Sequence, residues 1–486
     1  MEINKSLKKA HIVFIILGSI FIILSIFHQN LWFDEAYSVG MAKQNIIDIW
    51  EIGSNDVHPI LYYWILRIIN LLTNASIVSY RIFSSIPIIL LGILGITHIK
   101  KEFGEKVGII FSFLCYFLPV MSVYANEIRM YSWAAYISTV FAIYSYRIYI
   151  KEYKLKNWII FGITSLTSIY IHYYCLLLVG VINILLLICF IKNKRWKDLK
   201  KQFFIGIILF ILYLPWIIKM FLQIKHVTKG FWIEFEFPKT VLQLIGFYMG
   251  GTINIYMGFI ANIILFFILL LIYYKKRNLI NMKPVINIVK IYLIIIIIAI
   301  SISVIFKTSI LYYRYLFILI GLYIFIISFL LSKVKKQYLL VICIVIFLLG
   351  VVSNIIQIQD NYAKENGKQI EYLRKNMKEN DVIVYMNNEV GAVIAINFLN
   401  NKQYFYNPEN WGVADAYKVW APQMETHIST EFINKCKGRV WVIDSQDYKC
   451  YNQLFNNGDF KIITKQYFET KYQNYSYNII LVERFK

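Results

Sequence analysis

Long apolar runs separated by short basic loops fill most of the chain, and the pattern changes near residue 360. Runs such as 11–27, 240–274 and 292–306 approach or exceed the roughly 20 residues that a helix needs to cross a bilayer. Of the 486 residues, 59% are hydrophobic and 16% are charged, whereas a soluble protein carries about a quarter charged residues. The pattern therefore predicts a polytopic α-helical membrane protein.

The lysines and arginines predict its topology. We expect about eleven transmembrane helices, with the first acting as a retained anchor because no small-residue cleavage site follows it. The apolar run 59–72, which contains Arg67, is short for a span and is expected to stay external, in a first external loop over 28–80. Counting the charged residues at the ends of the spans with the adjoining loops, the internal side then holds 22 basic residues and the external side nine, as the positive-inside rule requires. The expected spans are 11–27, 81–99, 106–123, 131–150, 157–172, 174–191, 203–222, 253–274, 286–306, 311–331 and 338–356.

The residues after 360 predict a separate domain. Helices are expected over 361–378 and 389–399, and strands over 381–386, 403–406, 439–444, 460–467 and 475–483. This alternation indicates a small α/β domain over 359–486, on the extracytoplasmic side, after a transmembrane domain over 1–358. The net charge of +22 belongs almost wholly to the membrane part, because residues 360–486 carry 16 basic and 15 acidic side chains. The basicity therefore reflects topology, and no nucleic-acid partner is expected.

Cys436 and Cys450 could pair in an oxidising compartment or remain free thiols.

Candidate chemistry collects on the predicted external face. Polar groups at a membrane boundary are costly unless they are paired or used. The residues that stand out there are Asp34 and Glu35, as candidate catalytic acids, and a second set that could bind a phosphate or another part of a substrate: His58, Arg129, Tyr131, His172, Arg314 and Tyr315. Structural alternatives remain open for each kind: the acids could cap a flat interfacial helix expected at 41–51. Likewise, the arginines could contact lipid headgroups and the tyrosines could only pack.

Sugar transfer on this face would need a donor that the membrane delivers, because nucleotide sugars are cytoplasmic. A carboxylate would take the proton from the acceptor hydroxyl, a role that suits Asp34. Cations would hold the donor phosphate and stabilise it as it leaves. Arg129 and Arg314 suit that role because arginine stays charged and donates through a planar fork.

Three segments resemble the membrane glycosyltransferases of the GT-C class, and most closely the protein O-mannosyltransferase and lipid A aminoarabinose-transferase group. They are Phe33–Tyr37, Asp56–Tyr63 and Asn126–Ser132, supported by Ile171–Tyr174 and Arg314–Leu316. The resemblance covers about 11–356. It implies an inverting transfer from a polyprenyl-phosphate sugar, with Asp34 as the catalytic carboxylate. Ile60 stands where the group often has a second proline, and the C-terminal domain differs from that of the eukaryotic enzymes.

Three other functions compete with this one. A flippase or permease for lipid-linked glycans would also be polytopic, but it would favour ionisable residues at the bilayer midplane. A glycan polymerase would use a related donor and transfer whole oligosaccharides. A non-catalytic surface-binding protein would explain the external domain but not the residues around Asp34.

We expect the protein to lie in the membrane of a prokaryotic cell, with its active site extracytoplasmic. The sugar, the acceptor, the length of the carrier lipid and any divalent metal are left open, and no cofactor is expected beyond the donor itself.

Overall fold

The computed structural model describes residues 2–152, 154–227, 233, 235–386, 388–410, 419–444, 446–455, 458–472 and 475–485. Its helices are α1 (Glu2–Ile23), α2 (Phe33–Lys43), α3 (Ile46–Gly53), α4 (Leu61–Thr73), α5 (Ile77–Leu94), α6 (Lys100–Phe103), α7 (Glu105–Phe117), α8 (Pro119–Tyr124), α9 (Tyr131–Tyr149), α10 (Leu155–Ile171), α11 (Tyr173–Lys192), α12 (Trp196–Val227), α13 (Lys239–Gly250), α14 (Ile255–Lys276), α15 (Lys283–Phe306), α16 (Ile320–Leu331), α17 (Lys336–Asn361), α18 (Lys368–Asn376), α19 (Asn388–Ala395) and α20 (Lys449–Leu454). A π-helical turn, Gly95–Ile99, joins α5 to α6, and 3₁₀ helices span Tyr313–Leu319 and Thr430–Lys435.

The strands all lie after residue 380. They are β1 (Val382–Tyr385), β2 (Lys402–Tyr406), β3 (Glu425–His427), β4 (Arg439–Asp444), β5 (Phe460–Thr470) and β6 (Tyr475–Arg484). They form one sheet in the order β3-β2-β1-β4-β6-β5. The first four strands are parallel, and β6 pairs antiparallel with both β4 and β5.

The chain divides into two compact units whose segments alternate along the sequence. The helical unit contains residues 1–26, 58–62 and 81–357, and the α/β unit contains residues 27–57, 63–80 and 358–486. The predicted loop 28–80 is thus shared between the units. The domain limits at 358 and 359 remain a prediction from the sequence.

Within the described residues, seven helices are long and apolar enough to cross a membrane. They are Ile77–Phe103, Tyr173–Lys192, Trp196–Lys225, Ile255–Lys276, Lys283–Phe306, Tyr313–Leu331 and Lys336–Asn361. The remaining predicted spans coincide with shorter or more polar helices. The expected span 106–123 is broken into α7 and α8, because Pro119 disfavours helical geometry at Leu118, where ψ is 131°. The chain is a polytopic helical membrane protein, and the number eleven remains a prediction.

Close helix contacts hold the helical unit together. A Cβ atom added at Gly108 would lie 2.4 Å from the carbonyl oxygen of Gly95, and one added at Gly350 would lie 2.0 Å from that of Phe117. Such approaches require glycine, and small residues serve the same purpose in other membrane helices. Buried hydroxyls add polar links, as where Tyr62 and Ser84 lie 2.9 Å apart.

In the α/β unit, α2 packs on the sheet domain. The ring of Phe33 lies edge-on to Trp420 at 5.4 Å, and a Cβ at Gly40 would lie 2.6 Å from the carbonyl oxygen of Val419. The single helix predicted for 41–51 is wrong. Asn45 separates α2 from α3, because its side chain accepts hydrogen bonds from the backbone of Ile47 and Asp48 at 2.9 and 2.8 Å.

The central strands of the sheet are buried, as expected for parallel strands covered on both faces. All four residues of β1 are buried, as is usual for a central parallel strand covered on both faces. The core beside it includes Val384, Tyr404, Val442 and Ile480. Cys436 and Cys450 are both buried and form no disulfide, so the open choice between pairing and free thiols is settled here as free thiols.

Candidate active site

His172 lies between the helices α10 and α11 and caps the start of α11. Its backbone is extended, and its Nδ1 accepts a hydrogen bond from the backbone N–H of Tyr174 at 3.1 Å. When the ring is neutral its proton is therefore on Nε2. The side chain is 3% exposed, and Nε2 has no hydrogen-bond partner among the described residues. His172 thus holds a buried hydrogen-bond donor in a fixed orientation.

Three other predicted residues surround this ring. The centroid of His172 lies 5.8 Å from His58, 5.6 Å from Tyr131 and 5.3 Å from Tyr315. His58 in turn lies 6.4 Å from Tyr315. The rings come from the turn before α4, the start of α9, the junction before α11 and the 3₁₀ helix 313–319. We call His58, Tyr131, His172 and Tyr315 the histidine–tyrosine cluster.

Arg129 lies beside this cluster, in the turn between α8 and α9. It is 3% exposed, and its backbone N–H donates to the carbonyl of Glu127 at 2.7 Å. The buried guanidinium of Arg81 supports the same turn by donating to the carbonyl of Asn126 at 3.0 Å. Burial, followed by the nearby charges of His58 and Arg129, lowers the pKa of His172 well below its ordinary value. The His172 ring is therefore neutral near pH 7.

Arg314 is joined to the cluster through tyrosines. Its guanidinium lies over the ring of Tyr312 at 5.0 Å and donates to that residue's hydroxyl at 3.3 Å. Tyr312 lies 5.6 Å from Tyr315. Tyr174 closes the other side, with its ring 5.5 Å from Tyr315 and its hydroxyl donating to the carbonyl of Ile310 at 2.7 Å.

Tyr312 and Tyr174 were not singled out by the sequence. The only sequence signal that Tyr312 belongs to the site is its place in the run Tyr312-Tyr313-Arg314-Tyr315. In a chain with 38 tyrosines such a run does not stand out. The helical unit nevertheless brings four of the predicted residues into ring contact, with Arg129 and Arg314 close to them. A set of two arginines, a neutral imidazole and several phenols can bind an anion and the hydroxyls of a sugar.

Asp34 and Glu35 lie in the α/β unit, in the first turn of α2. Asp34 is half-buried. Glu35 is fully buried, and its carboxylate accepts hydrogen bonds from the backbone N–H of Trp32 at 3.4 Å and from the hydroxyl of Tyr472 at 2.5 Å. The alternative of helix capping thus describes Glu35 well. A catalytic role for either acid, and a single pocket shared with the arginines, remain predictions from the sequence.

A separate cavity of about 230 Å³ lies in the helical unit, toward the loops predicted to be internal, which we call the lysine-rich loops. They carry Lys100, Lys101 and Lys106, Lys151, Lys154 and Lys156, Lys192 to Lys201, Lys275 to Lys283, and Lys333, Lys335 and Lys336. Its lining includes Phe103, Tyr146, Leu186, Ile288 and Phe325, and the one charged side chain on it is Lys290. This composition suits a hydrocarbon chain, and none of the candidate site residues lines the cavity. Among the described residues, no three His, Cys, Asp or Glu side chains are grouped to hold a metal ion.

Comparison with solved structures identifies the architecture. The crystal structure of ArnT from Cupriavidus metallidurans bound to undecaprenyl phosphate matches with a TM-score of 0.63 at 10% identity, covering 97% of each chain. The chain has the fold of ArnT. The apo form of ArnT matches with a TM-score of 0.52 at 9% identity over 98% of each chain. The Archaeoglobus fulgidus oligosaccharyltransferase matches with a TM-score of 0.45 at 10% identity, over 90% of this chain and 68% of the other.

The ArnT fold confirms the fold class expected from the sequence: a GT-C type helical membrane domain followed by an α/β domain. ArnT is a lipid A aminoarabinose transferase, one of the two kinds of protein that the sequence motifs resemble. No protein-family model and no curated protein matches the sequence. At 10% identity the likeness establishes the fold alone, and one fold can host several functions.

Proposed function

We propose that this protein transfers a sugar from a polyprenyl-phosphate donor to an acceptor on the extracytoplasmic side of a prokaryotic membrane. The observation that carries the proposal is the ArnT fold over 97% of both chains, in a protein whose solved structure holds undecaprenyl phosphate. The histidine–tyrosine cluster with its arginines supports it, because this set suits a phosphate and a sugar. The acceptor is a lipid, a cell-envelope glycan or a protein.

The phosphate is assigned to the helical unit. When the bond between the anomeric carbon and the phosphate oxygen breaks, the carrier leaves as a phosphate monoester with an additional negative charge. Arg129 and Arg314 stabilise that charge, as positively charged donors form stronger hydrogen bonds than neutral ones. The Nε2–H of His172 is assigned to a phosphate oxygen or a sugar hydroxyl, which would satisfy this buried donor.

The proton is assigned to Asp34. The acceptor hydroxyl oxygen attacks the anomeric carbon from the side opposite the phosphate, so the configuration inverts. Asp34 takes the hydroxyl proton as the new bond forms. The electron pair of the broken bond goes to the carrier phosphate, and no oxidant or reductant is involved. In this assignment Glu35 carries no step of the reaction.

The orientation of the chain is testable in a cysteine-free background. On the proposed topology, cysteines at the exposed positions Lys101 and Asn278 face the cytoplasm, and one at the exposed position Asn452 faces outward. A membrane-impermeant thiol reagent applied to intact cells should therefore label Asn452→Cys alone. Labelling of Lys101→Cys or Asn278→Cys with Asn452→Cys protected would reverse the orientation.

The decisive experiment offers a panel of polyprenyl-phosphate sugars to the purified protein and follows the acceptor by mass spectrometry. Transfer from one donor is expected, and Asp34→Asn should lower the single-turnover rate by about 10²–10⁴-fold, the usual contribution of general base catalysis. Donor binding should be retained in that variant. Wild-type turnover by Asp34→Asn would remove Asp34 from the mechanism. Movement of lipid-linked glycan across vesicles without any transfer would instead establish the transporter.

A further inference from the structure

We propose that Glu35 and Tyr472 together position Asp34, so that Glu35 acts as a positioning residue and not as a second catalytic acid. This inference rests on the proposed role of Asp34. The two side chains are joined by a 2.5 Å hydrogen bond from the Tyr472 hydroxyl to Glu35 Oε2, between residues 437 apart in sequence. Glu35 is fully buried beneath this contact.

The carboxylate of Glu35 joins two structural elements. It accepts the Trp32 backbone N–H at 3.4 Å, which closes the start of α2, and the Tyr472 hydroxyl, which comes from the hairpin between β5 and β6. A negative charge at this end of a helix is also stabilised by the helix dipole. Since Asp34 shares the first turn, holding the side chain of Glu35 fixes the rotation of that turn and hence the direction of the Asp34 carboxylate.

Tyr472 is itself firmly held, as a positioning residue must be. Its backbone N–H donates to Asn366 Oδ1 at 3.1 Å, and the backbone of Lys471 donates to the same oxygen at 2.9 Å. Asn366 in turn donates to the carbonyl of Asp360 at 2.6 Å. The Tyr472 ring lies edge-on to His28 at 4.7 Å. Three segments, near residues 28–35, 360–366 and 470–472, thus converge on one hydroxyl–carboxylate contact.

The chemistry of the contact separates positioning from catalysis. A carboxylate that exchanges protons cannot be replaced by an amide, whereas a carboxylate that only accepts hydrogen bonds can, because the amide oxygen of glutamine accepts two. Glu35→Gln should therefore keep most of the activity and Glu35→Ala should lose it. The opposite expectation holds for Asp34, where the amide removes the base.

The test compares Tyr472→Phe, Glu35→Gln and Glu35→Ala with the control Tyr448→Phe, which removes another partly buried tyrosine hydroxyl bond, 3.1 Å to Asn478, within the same unit. Tyr472→Phe should lower kcat about two- to tenfold, the worth of one hydrogen bond, with the KM for donor unchanged. Adding Tyr472→Phe to Glu35→Ala should have little further effect, because both remove the same link. Tyr448→Phe should leave kcat unaltered.

Hydrogen exchange of the backbone over residues 32–38 provides a readout that does not need catalysis. Tyr472→Phe should accelerate exchange there and Tyr448→Phe should not; unchanged exchange in Tyr472→Phe would overturn the positioning link. A loss of activity in Glu35→Gln as deep as in Asp34→Asn would make Glu35 catalytic and also overturn the proposal. If exchange is accelerated in Tyr472→Phe but Asp34→Asn keeps full activity, the link between Tyr472 and Glu35 stands and the proposed role of Asp34 is refuted instead.

Discussion

Buried polar groups make different hydrogen bonds at the two ends of the helical unit. Near the lysine-rich loops, His11 and Ser112 lie 2.6 Å apart, and the Ser112 hydroxyl donates to the carbonyl of Gly92 at 2.6 Å. Because that hydroxyl has one proton, His11 Nε2–H must be the donor in the first contact. The ring proton of His11 is thus used inside the fold. At the other end the Nε2 of His172 finds no partner among the described residues.

Buried arginines near the lysine-rich loops follow the same rule as His11. Arg147 contacts the Glu102 carboxylate through Nε at 2.9 Å and through its terminal nitrogen at 2.8 Å. Arg195 contacts Asp198 at 2.8 Å and two backbone carbonyls besides. These groups tie loops to helices, and their hydrogen bonds end within the fold. The contrast between the two ends therefore lies in the histidines: the Nε2 proton of His11 is used within the fold, whereas Nε2 of His172 has no partner among the described residues, which fits the donor-binding role proposed for it.

The largest effect expected from this comparison separates the arginines at the two ends of the helical unit. Arg314→Gln should raise the KM for donor about ten- to a hundredfold, as expected for losing a hydrogen bond to a charged group, with little change in melting temperature. Arg147→Ala should do the reverse, because it leaves the Glu102 carboxylate without its cation in a largely buried place. Steady-state kinetics in detergent or nanodiscs and thermal unfolding measure the two quantities.

Arg129 provides a finer version of this test. Since it is buried, Arg129→Ala could alter folding, so Arg129→Lys is the matched variant that keeps the charge and loses the planar fork. Its KM should rise by less than that of Arg129→Ala. A donor KM equal to wild type in Arg314→Gln and Arg129→Ala would clear both residues of phosphate contact and remove the distinction between the two ends.

The sequence predicted the membrane architecture and most strands because their signals are local. Residues 382–385 and 439–444 are short runs rich in β-branched and aromatic residues, and the structure places β1 and β4 there. The strand β3 has three residues, too few for a pattern, and was missed. The helix expected over 361–378 is also shorter, because α17 ends at Asn361 and α18 begins at Lys368.

The sequence identified most of the residues that form the candidate site, but it did not predict which of them contact one another. Motifs identified His58, Tyr131, His172 and Tyr315, yet their ring contacts depend on how α9, α11 and the 3₁₀ helix 313–319 pack. The link from Glu35 to Tyr472 joins residues 437 apart, and no periodicity or spacing encodes a bond of that kind. Long-range side-chain contacts require the fold, whereas caps and strands require only neighbours in sequence.

Two substitutions of His172 are expected to have effects of intermediate size, and each removes a different hydrogen bond of the ring. In His172→Asn the amide oxygen replaces Nδ1 as the cap of α11, and the donor at Nε2 is lost. In His172→Gln the amide nitrogen keeps a donor near Nε2, and the cap is lost. His172→Asn should therefore raise the KM for donor about two- to tenfold, while His172→Gln should mainly lower the melting temperature.

His11 supplies the matched control for that pair. His11→Asn breaks the contact with Ser112 and should lower the melting temperature without changing the KM for donor. If His172→Asn and His11→Asn behave alike, with stability lost and donor binding kept in both, His172 is a structural cap and the orphaned Nε2 has no ligand.

The smallest expected effect is the absence of a pH dependence at His172. Burial lowers the pKa of this histidine well below its ordinary value, so its ring is neutral at neutral pH and its Nε2–H donor is present there. The sign follows from linkage: as pH falls below about 6.5, the unfolded chain takes up a proton at His172 that the folded protein resists, so acid destabilises the fold.

Donor binding measured at several pH values tests this last point. His58 and Arg129 also face the ring, so the informative quantity is the difference between wild type and His172→Gln, in which the other groups contribute equally. The two KM profiles should run parallel. A wild-type KM that rises with pH through 6–7, and a flat one in His172→Gln, would mean that a charged imidazolium binds the phosphate. His172 would then belong with the arginines as a cation and not as a neutral donor, because only the protonated ring loses its charge in that interval.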